Sequence, residues 1–440
     1  MTKTKRPKPH LKKPYGTPTV TSHTKKDSTT DDDQSMEQVE KSPQFVIDGS
    51  ILEGGGQILR NCVALSSLYS KPILIEKIRH NRDQPGLKAQ HKAGIDLVAR
   101  MFRAHLDGSK QGSVTLYYHP RISPSLIKEH DIEADTGTAG SITLLIQVSM
   151  PCLLFAPHSI KLTLGGGTNV DFSPAADYLQ HVFFPAAKRF GIDVDMEIKK
   201  RGYYPKGGGL VTLITRPIIG TLQPITIMNK GNLTKITIRV NFTSTRISIQ
   251  VAERMLTAAK KMIKKDYKKV EIVEDIVDTA KYTFGDGVSI FIMAETDTGC
   301  IYGGSANGAI GIPAEEVGET AAISVLNDLL HGGCMDEYLQ DQLIIFMALA
   351  KGKSQIKTGP LSLHTQTSIH FSTMLTGCTF TVTPAPDRQR GEETFIIACD
   401  GIGYISNQPQ PGGVVVAAET APTTSTTSTT STTTTTTTTS

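Results

Sequence analysis

Apolar positions recur along the middle of the chain with two periods, and the switches between them mark elements. Phe45-Val46-Ile47 is a short apolar run before a glycine-rich turn. From Gln57 to Tyr69, Ile58, Cys62, Leu65 and Leu68 fall at helical spacing. Lys71–Ile78 alternates as a strand, and Leu87–Met101 reads as a helix with Leu87, Ile95, Val98 and Met101 inward. Val114–Tyr118 and Ile160–Leu164 read as strands, Ser141–Phe155 and Pro174–Phe190 as helices. This alternation of strand and helix predicts an α/β protein with layered packing. After residue 222 the pattern changes. A strand at Thr234–Phe242, a Lys-rich amphipathic helix at Ile247–Lys269 and strands at Val270–Val277 and Val288–Glu295 form a block suited to insertion. A helix at Glu315–Leu330 then resumes the main body. Met335–Ala350 follows as one helix, with Leu339, Leu343, Phe346, Met347 and Ala350 on one face. Tyr338 and Asp341, three residues apart there, can point at one ligand.

The expected organisation is a tail at 1–42, a core at 43–221 and 326–409, an inserted domain at 222–325, and a tail at 410–440. Residues 1–26 carry eight Lys/Arg, no acid and four Pro, a composition that cannot bury enough apolar surface to fold. Lys5–Pro14 (KRPKPHLKKP) reads as a nuclear localisation signal, an RNA-touching arm or a solvated tail. Thr423–Ser440 is entirely Thr and Ser.

Charge is concentrated at one end. Nine Lys/Arg against six Asp/Glu in residues 1–41 account for +3 of the net +4, so the body is nearly neutral. An anion bound there must meet a local cluster, because no global field draws it in. No run of about 18 apolar residues exists, which excludes a membrane-spanning helix. The basic start lacks the apolar stretch of a secretory signal. Six scattered cysteines form no C-x-x-C pair, so free thiols in a reducing compartment are expected rather than a zinc site.

Three stretches carry candidate chemistry. Glu53-Gly54-Gly55-Gly56-Gln57-Ile58-Leu59-Arg60 sits between a strand and a helix. Glycines let backbone N–H groups approach an oxyanion, the helix N-terminus adds positive partial charge, Glu53 can hold a divalent cation and Arg60 can grip a phosphate. A tight structural turn accounts for the glycines equally well. Arg79 and Arg82, on the loop before the Leu87 helix, make an anion clamp, with Gln90 and His91 near the same end. His364, in the turn Gly359–Thr367 before a short helix, can act as a nucleophile at phosphorus, although a lone histidine is more often structural. Three GGG triplets, at Gly54–Gly56, Gly165–Gly167 and Gly207–Gly209, hint at a repeated unit.

Taken together, the stretches resemble the RNA 3′-terminal phosphate cyclases, in the catalytic branch of eukaryotic type. The matching pieces are Asp48–Arg60 (DGSILEGGGQILR), Ile78–His91 (IRHNRDQPGLKAQH), Thr136–Gln147 (TGTAGSITLLIQ) and Gly165–Tyr178 (GGGTNVDFSPAADY). Arg201–Gly209 (RGYYPKGGG), Asp336–Leu343 (DEYLQDQL) and Thr358–Thr367 (TGPLSLHTQT) follow in order. The resemblance implies a large domain of repeated βαβαββ units with a smaller inserted α/β domain. It implies ATP-dependent conversion of an RNA 3′-phosphate to a 2′,3′-cyclic phosphodiester through a histidine–AMP intermediate, aided by Mg²⁺ or Mn²⁺. By position, His364 is the implied nucleophile, and Gln147, Pro174, Tyr338, Asp341 and Gln342 line the ATP site. Glu53 is the metal-facing acid, and Arg60, Arg79, Arg82, Gln90 and His91 face ATP phosphates or the RNA end. The implied partners are ATP and RNA with a 3′-phosphate, and the expected location is the nucleus, with the cytoplasm as alternative. The family often has a glycine-rich loop where this chain reads His80-Asn81-Arg82. The alternative function is a non-catalytic, cyclase-like scaffold for rRNA processing, which would lack His364 or the adenosine-site group.

Overall fold

The computed structural model describes residues 43–386 and 393–406. Both expected tails, at 1–42 and 410–440, lie outside these residues. Three sheets repeat one topology. In the first, Phe45–Asp48 pairs in parallel with Ile73–Glu76, joined by the helix Gly56–Tyr69; the helix Ala89–Met101 then leads to the hairpin His105–Asp107 and Leu116–His119. The last strand inserts beside the second, so the spatial order is first, second, fourth, third. Asp131–Asp135, Ile160–Gly166, Val194–Gly202 and Gly209–Thr215 repeat this order, as do Thr226–Ile227, Lys351–Thr358, Thr379–Pro384 and Phe395–Ile402. These are the βαβαββ units that the resemblance implies.

A parallel pair needs a crossover, and the crossover helices supply the shared core. The helix Gly56–Tyr69 packs against both Ile142–Leu153 and Leu363–Thr376. Cys62, Val63, Leu65, Ile146 and Phe371 are buried at this meeting point. The GGG triplets do not mark the repeat. The first opens a helix, the second ends a second-position strand, and the third begins a fourth-position strand.

The third unit is interrupted after its first strand. The fourth sheet, ordered Glu271–Asp278, Leu233–Phe242, Val288–Thr296, Ile301–Asn307, carries the helices Ile249–Asp266 and Ala314–Leu330. Sheet pairing differs from the expected junctions at 222 and 325. Thr226–Ile227 joins Lys351–Thr358 in the core, and Ala314–Leu330, expected to resume the main body, packs on Ile249–Asp266 and Ile301–Asn307. Arg201 fastens core to insert. It makes a two-point pair with the buried Asp177 at 2.6 and 2.8 Å and donates to Asn169, which donates to Ser289 of the insert. Burial alone would raise Asp177, but the guanidinium holds it at about 2.

Two helices differ from the simple pattern. The helix expected at Pro174–Phe190 runs as Ala176–Tyr178 and Phe184–Lys188 with a π turn, Leu179–Phe183, between them. The helix expected at Met335–Ala350 is two, Glu337–Gln342 and Ile344–Leu349, meeting at Leu343. All six thiols are free and buried. Among the described residues no helix is long and apolar enough to cross a membrane.

Candidate active site

Two polar anchors set the site. Buried Asp336 caps Glu337–Gln342: its Oδ1 accepts from Leu339 N at 2.8 Å and from the Tyr178 hydroxyl at 2.6 Å. Its Oδ2 accepts from Gly303 N of the insert at 2.9 Å. Buried Gln340 anchors the start of the helix Leu363–Thr376. Its Oε1 accepts from Thr365 Oγ1 at 2.6 Å and Ser362 N at 3.2 Å, while its Nε2 donates to Thr358 Oγ1 and to Pro360 O. Ser362 is the N-cap of Leu363–Thr376, accepting from Thr365 N at 3.1 Å. His364 therefore lies within the first turn of this helix, not in the turn preceding it.

These anchors deliver the expected residues to one cleft of about 220 Å³. Arg60, Gln147, Pro174, Tyr338, Asp341, Gln342 and His364 all line it. So do Phe172 and the insert residues Gly303, Ser305 and Asn307, which the sequence pattern does not single out. Tyr338 is 44% exposed and meets Tyr178 edge-on, with centroids 5.9 Å apart. Gln342 donates through Nε2 to Tyr338 O at 2.7 Å, and its buried Oε1 has no partner.

The remaining candidates each make hydrogen bonds or ion pairs to protein groups. Arg82 pairs with Glu53 at 2.7 Å, and Arg79 donates to Gln84 O and Gly86 O. The expected two-arginine clamp is thus tied to protein acceptors in this structure. Gln90 accepts from Ser141 N, and His91 Nδ1 accepts from Lys88 N. Gly55 and Gly56 lie in close approach to side chains of the site. A Cβ on Gly55 would overlap the Glu53 carboxylate, and one on Gly56 would sit 2.5 Å from His91 Nε2. The Glu53 side chain is only 9% exposed and its Oε2 is buried without a partner, which fits a cation ligand. Among the described residues no group of three or more His, Cys, Asp or Glu is placed to hold a metal. A lone carboxylate suits Mg²⁺, which keeps its waters and takes substrate phosphate oxygens.

Gln57, missed in the sequence, joins these groups. It is 3% exposed; its Oε1 lies 3.1 Å from His364 Nδ1, and its Nε2 donates to Asp341 Oδ2. Burial pushes Asp341 up to about 7, against the pull of the Arg60 guanidinium, with Asp336 and Glu337 adding to the rise. Partial burial lowers His364, Glu53 opposes this, and Arg60 and Arg82 lower it further, so the ring is neutral near pH 7 although it stays open to the cleft. His91 is pushed down to about 3 by burial and then by Arg60, Arg79 and Lys88.

The repeated units and this cleft define an α/β enzyme scaffold with a histidine set beside arginine, tyrosine and carboxylate side chains. The profile of the RNA 3′-terminal phosphate cyclases matches residues 51–382. A probable RNA 3′-terminal phosphate cyclase of Dictyostelium discoideum is 63% identical over 84% of this chain and 86% of its own. The RNA 3′-terminal phosphate cyclase of Drosophila melanogaster is 35% identical over 82% and 97%, and that of Pyrobaculum neutrophilum 36% over 81% and 99%. The chain belongs to the RNA 3′-terminal phosphate cyclase family. A solved enolpyruvyl transferase, NikO from Streptomyces tendae, is 12% identical with a TM-score of 0.32 over 82% of this chain and 49% of that one, too distant a likeness to argue from.

Proposed function

We propose that the protein converts RNA 3′-phosphate ends to 2′,3′-cyclic phosphodiesters, using ATP and a covalent His364–AMP intermediate. The observation that carries this reading is a neutral His364 on the same cleft as Arg60, Tyr338, Asp341 and Gln342. Tyr338 and Pro174 offer faces for adenine, and the unpartnered Gln342 Oε1 suits its amino group. Arg60 lines the same cleft as His364, where its guanidinium would meet a phosphate of the nucleotide or of the RNA end. A divalent cation held at Glu53 would offset the charge of approaching phosphates.

The imidazole lone pair attacks the α-phosphorus; an N–P bond forms, the P–O bond to the β-phosphate breaks, and diphosphate leaves. An oxygen of the RNA 3′-phosphate then attacks the same phosphorus, and the N–P bond breaks with its electron pair returning to the ring. The vicinal 2′-hydroxyl attacks the activated RNA phosphorus, its proton goes to solvent and AMP departs. Activation is needed because a phosphate monoester lacks a good leaving group, and two covalent stages divide the barrier. The alternative scaffold reading is disfavoured by the presence of His364, Glu53, Tyr338 and Asp341. The basic Lys5–Pro14 segment supports action in the nucleus.

Incubation with α-labelled ATP and a divalent cation tests the reading. The wild type is expected to retain label, His364→Ala to retain none, and an RNA with a 3′-phosphate to discharge the label and gain a cyclic end. Equal labelling of both proteins removes His364 from its role.

A further inference from the structure

The contact between Asp341, Gln57 and His364 has a direction that donor and acceptor chemistry fixes once Asp341 is ionised. Gln57 comes from the first repeat, Asp341 and His364 from the third, and the amide is 3% exposed. One end of that amide meets Asp341 Oδ2, the other lies 3.1 Å from His364 Nδ1. Above its midpoint of about 7 the Asp341 carboxylate is ionised and only accepts, so there the amide nitrogen faces it. The amide oxygen then faces His364, and because it also only accepts, Nδ1 must carry the ring proton. Neutral imidazole has one proton, so the lone pair is on Nε2.

We infer that Gln57 is a positioning residue, its amide turned by Asp341, which holds His364 as the tautomer with Nε2 free to attack phosphorus. The inference rests on the proposed role of His364. Imidazole by itself can place its proton on either nitrogen, and with the proton on Nε2 the lone pair points at Gln57 and away from a ligand. Arg60, which faces both Asp341 and His364, favours the ionised carboxylate and the neutral ring together. When Nε2 bonds to phosphorus, Nδ1 keeps its proton and its acceptor. The cationic ring so formed is a better leaving group when the RNA phosphate arrives.

Two measurements test this on the full chain. Isotope-labelled histidine and long-range proton–nitrogen NMR report which ring nitrogen of His364 is protonated, with His364→Ala supplying the assignment. Wild type is expected to show Nδ1–H at pH 8; Gln57→Leu and Asp341→Asn are expected to show a mixture. Single-turnover adenylylation by Gln57→Leu should fall about 10²-fold, less than the roughly 10⁴-fold of a wrong histidine tautomer beside a buried carboxylate, because an amide bears no charge. Its KM for ATP should stay within about threefold, since Gln57 acts through the ring rather than on bound nucleotide. Gln57→Glu, which keeps an acceptor toward Nδ1, should recover at least about half of the logarithmic loss. A proton on Nε2 in the wild type, or wild-type adenylylation by Gln57→Leu, overturns the inference. Labelled His364→Ala would overturn the proposed nucleophile instead, and the NMR result on the resting protein does not depend on that chemistry.

Discussion

Replacing Asp341 with Asn should make the protein more stable in a strongly pH-dependent way while impairing its chemistry. The carboxyl rises from an ordinary 3.8 to about 7 on folding, chiefly because it is buried. A raised carboxyl favours folding only while protonated. Its full stability is present below about pH 4, declines as pH climbs toward 7, and is lost above that. Three units correspond to about 4 kcal/mol at 1.36 kcal/mol per unit, and relaxation of the site reduces this to about 2–4 kcal/mol. Asn has the same shape and can still accept from Gln57 Nε2, but it can also donate, so Asp341→Asn removes the ionisation cost and leaves the direction of the Gln57 amide unfixed. Thermal melts should therefore coincide at pH 4 and diverge progressively up to pH 8, with Asn the higher. For a chain this long each kcal/mol moves Tm by about 2 °C or less, giving a gap of at most about 8 °C. A gap that is the same at both pH values would refute the burial argument. A variant that melts below wild type at pH 8 would show that the Arg60 attraction outweighs desolvation.

Three further outcomes follow from the same geometry. Glu53→Ala removes the unpartnered Oε2, so adenylylation should demand at least about tenfold more Mg²⁺ or Mn²⁺; a metal titration with an unchanged midpoint excludes that role. Gly56→Ala places a methyl 2.5 Å from His91 Nε2 and 3.1 Å from Arg60 Nη1. It should cost about 1–3 kcal/mol and displace Arg60, lowering adenylylation; denaturant midpoints and labelling rates at wild-type levels would contradict this. Deleting residues 1–41, which hold nine of the basic residues, should weaken RNA binding most at low salt or reduce nuclear retention. Identical salt slopes and identical localisation would make the segment dispensable for both.

Much of this architecture is legible in sequence where a single physical pattern dominates. Gly56–Tyr69, Ile142–Leu153 and Ile249–Asp266 show their apolar periodicity openly. Short or polar strands do not: His105–Asp107 has three residues, and Asp131–Asp135 reads DIEAD yet pairs along Ile160–Gly166. The insert boundary was obscured because a two-residue strand, Thr226–Ile227, carries the core connection. His364 reads as a turn residue because Gly359-Pro360 precedes it; the helix begins there only because Gln340, distant in sequence, fixes Ser362 and Thr365. Gln57 gave no signal, since a polar residue at a helix start is ordinarily solvated. Its burial arises from two segments about 280 and 300 residues away.

The three units share a topology but contribute unlike parts to the cleft. The first brings Arg60 and Gln57, the second Gln147 and Pro174, the third Tyr338, Asp341 and His364, with the insert closing one side at Gly303 and Asn307. A trimer of identical copies would present three equal surfaces and assemble none of this. What the cleft can do belongs to the differences among the units, not to the strand order they share.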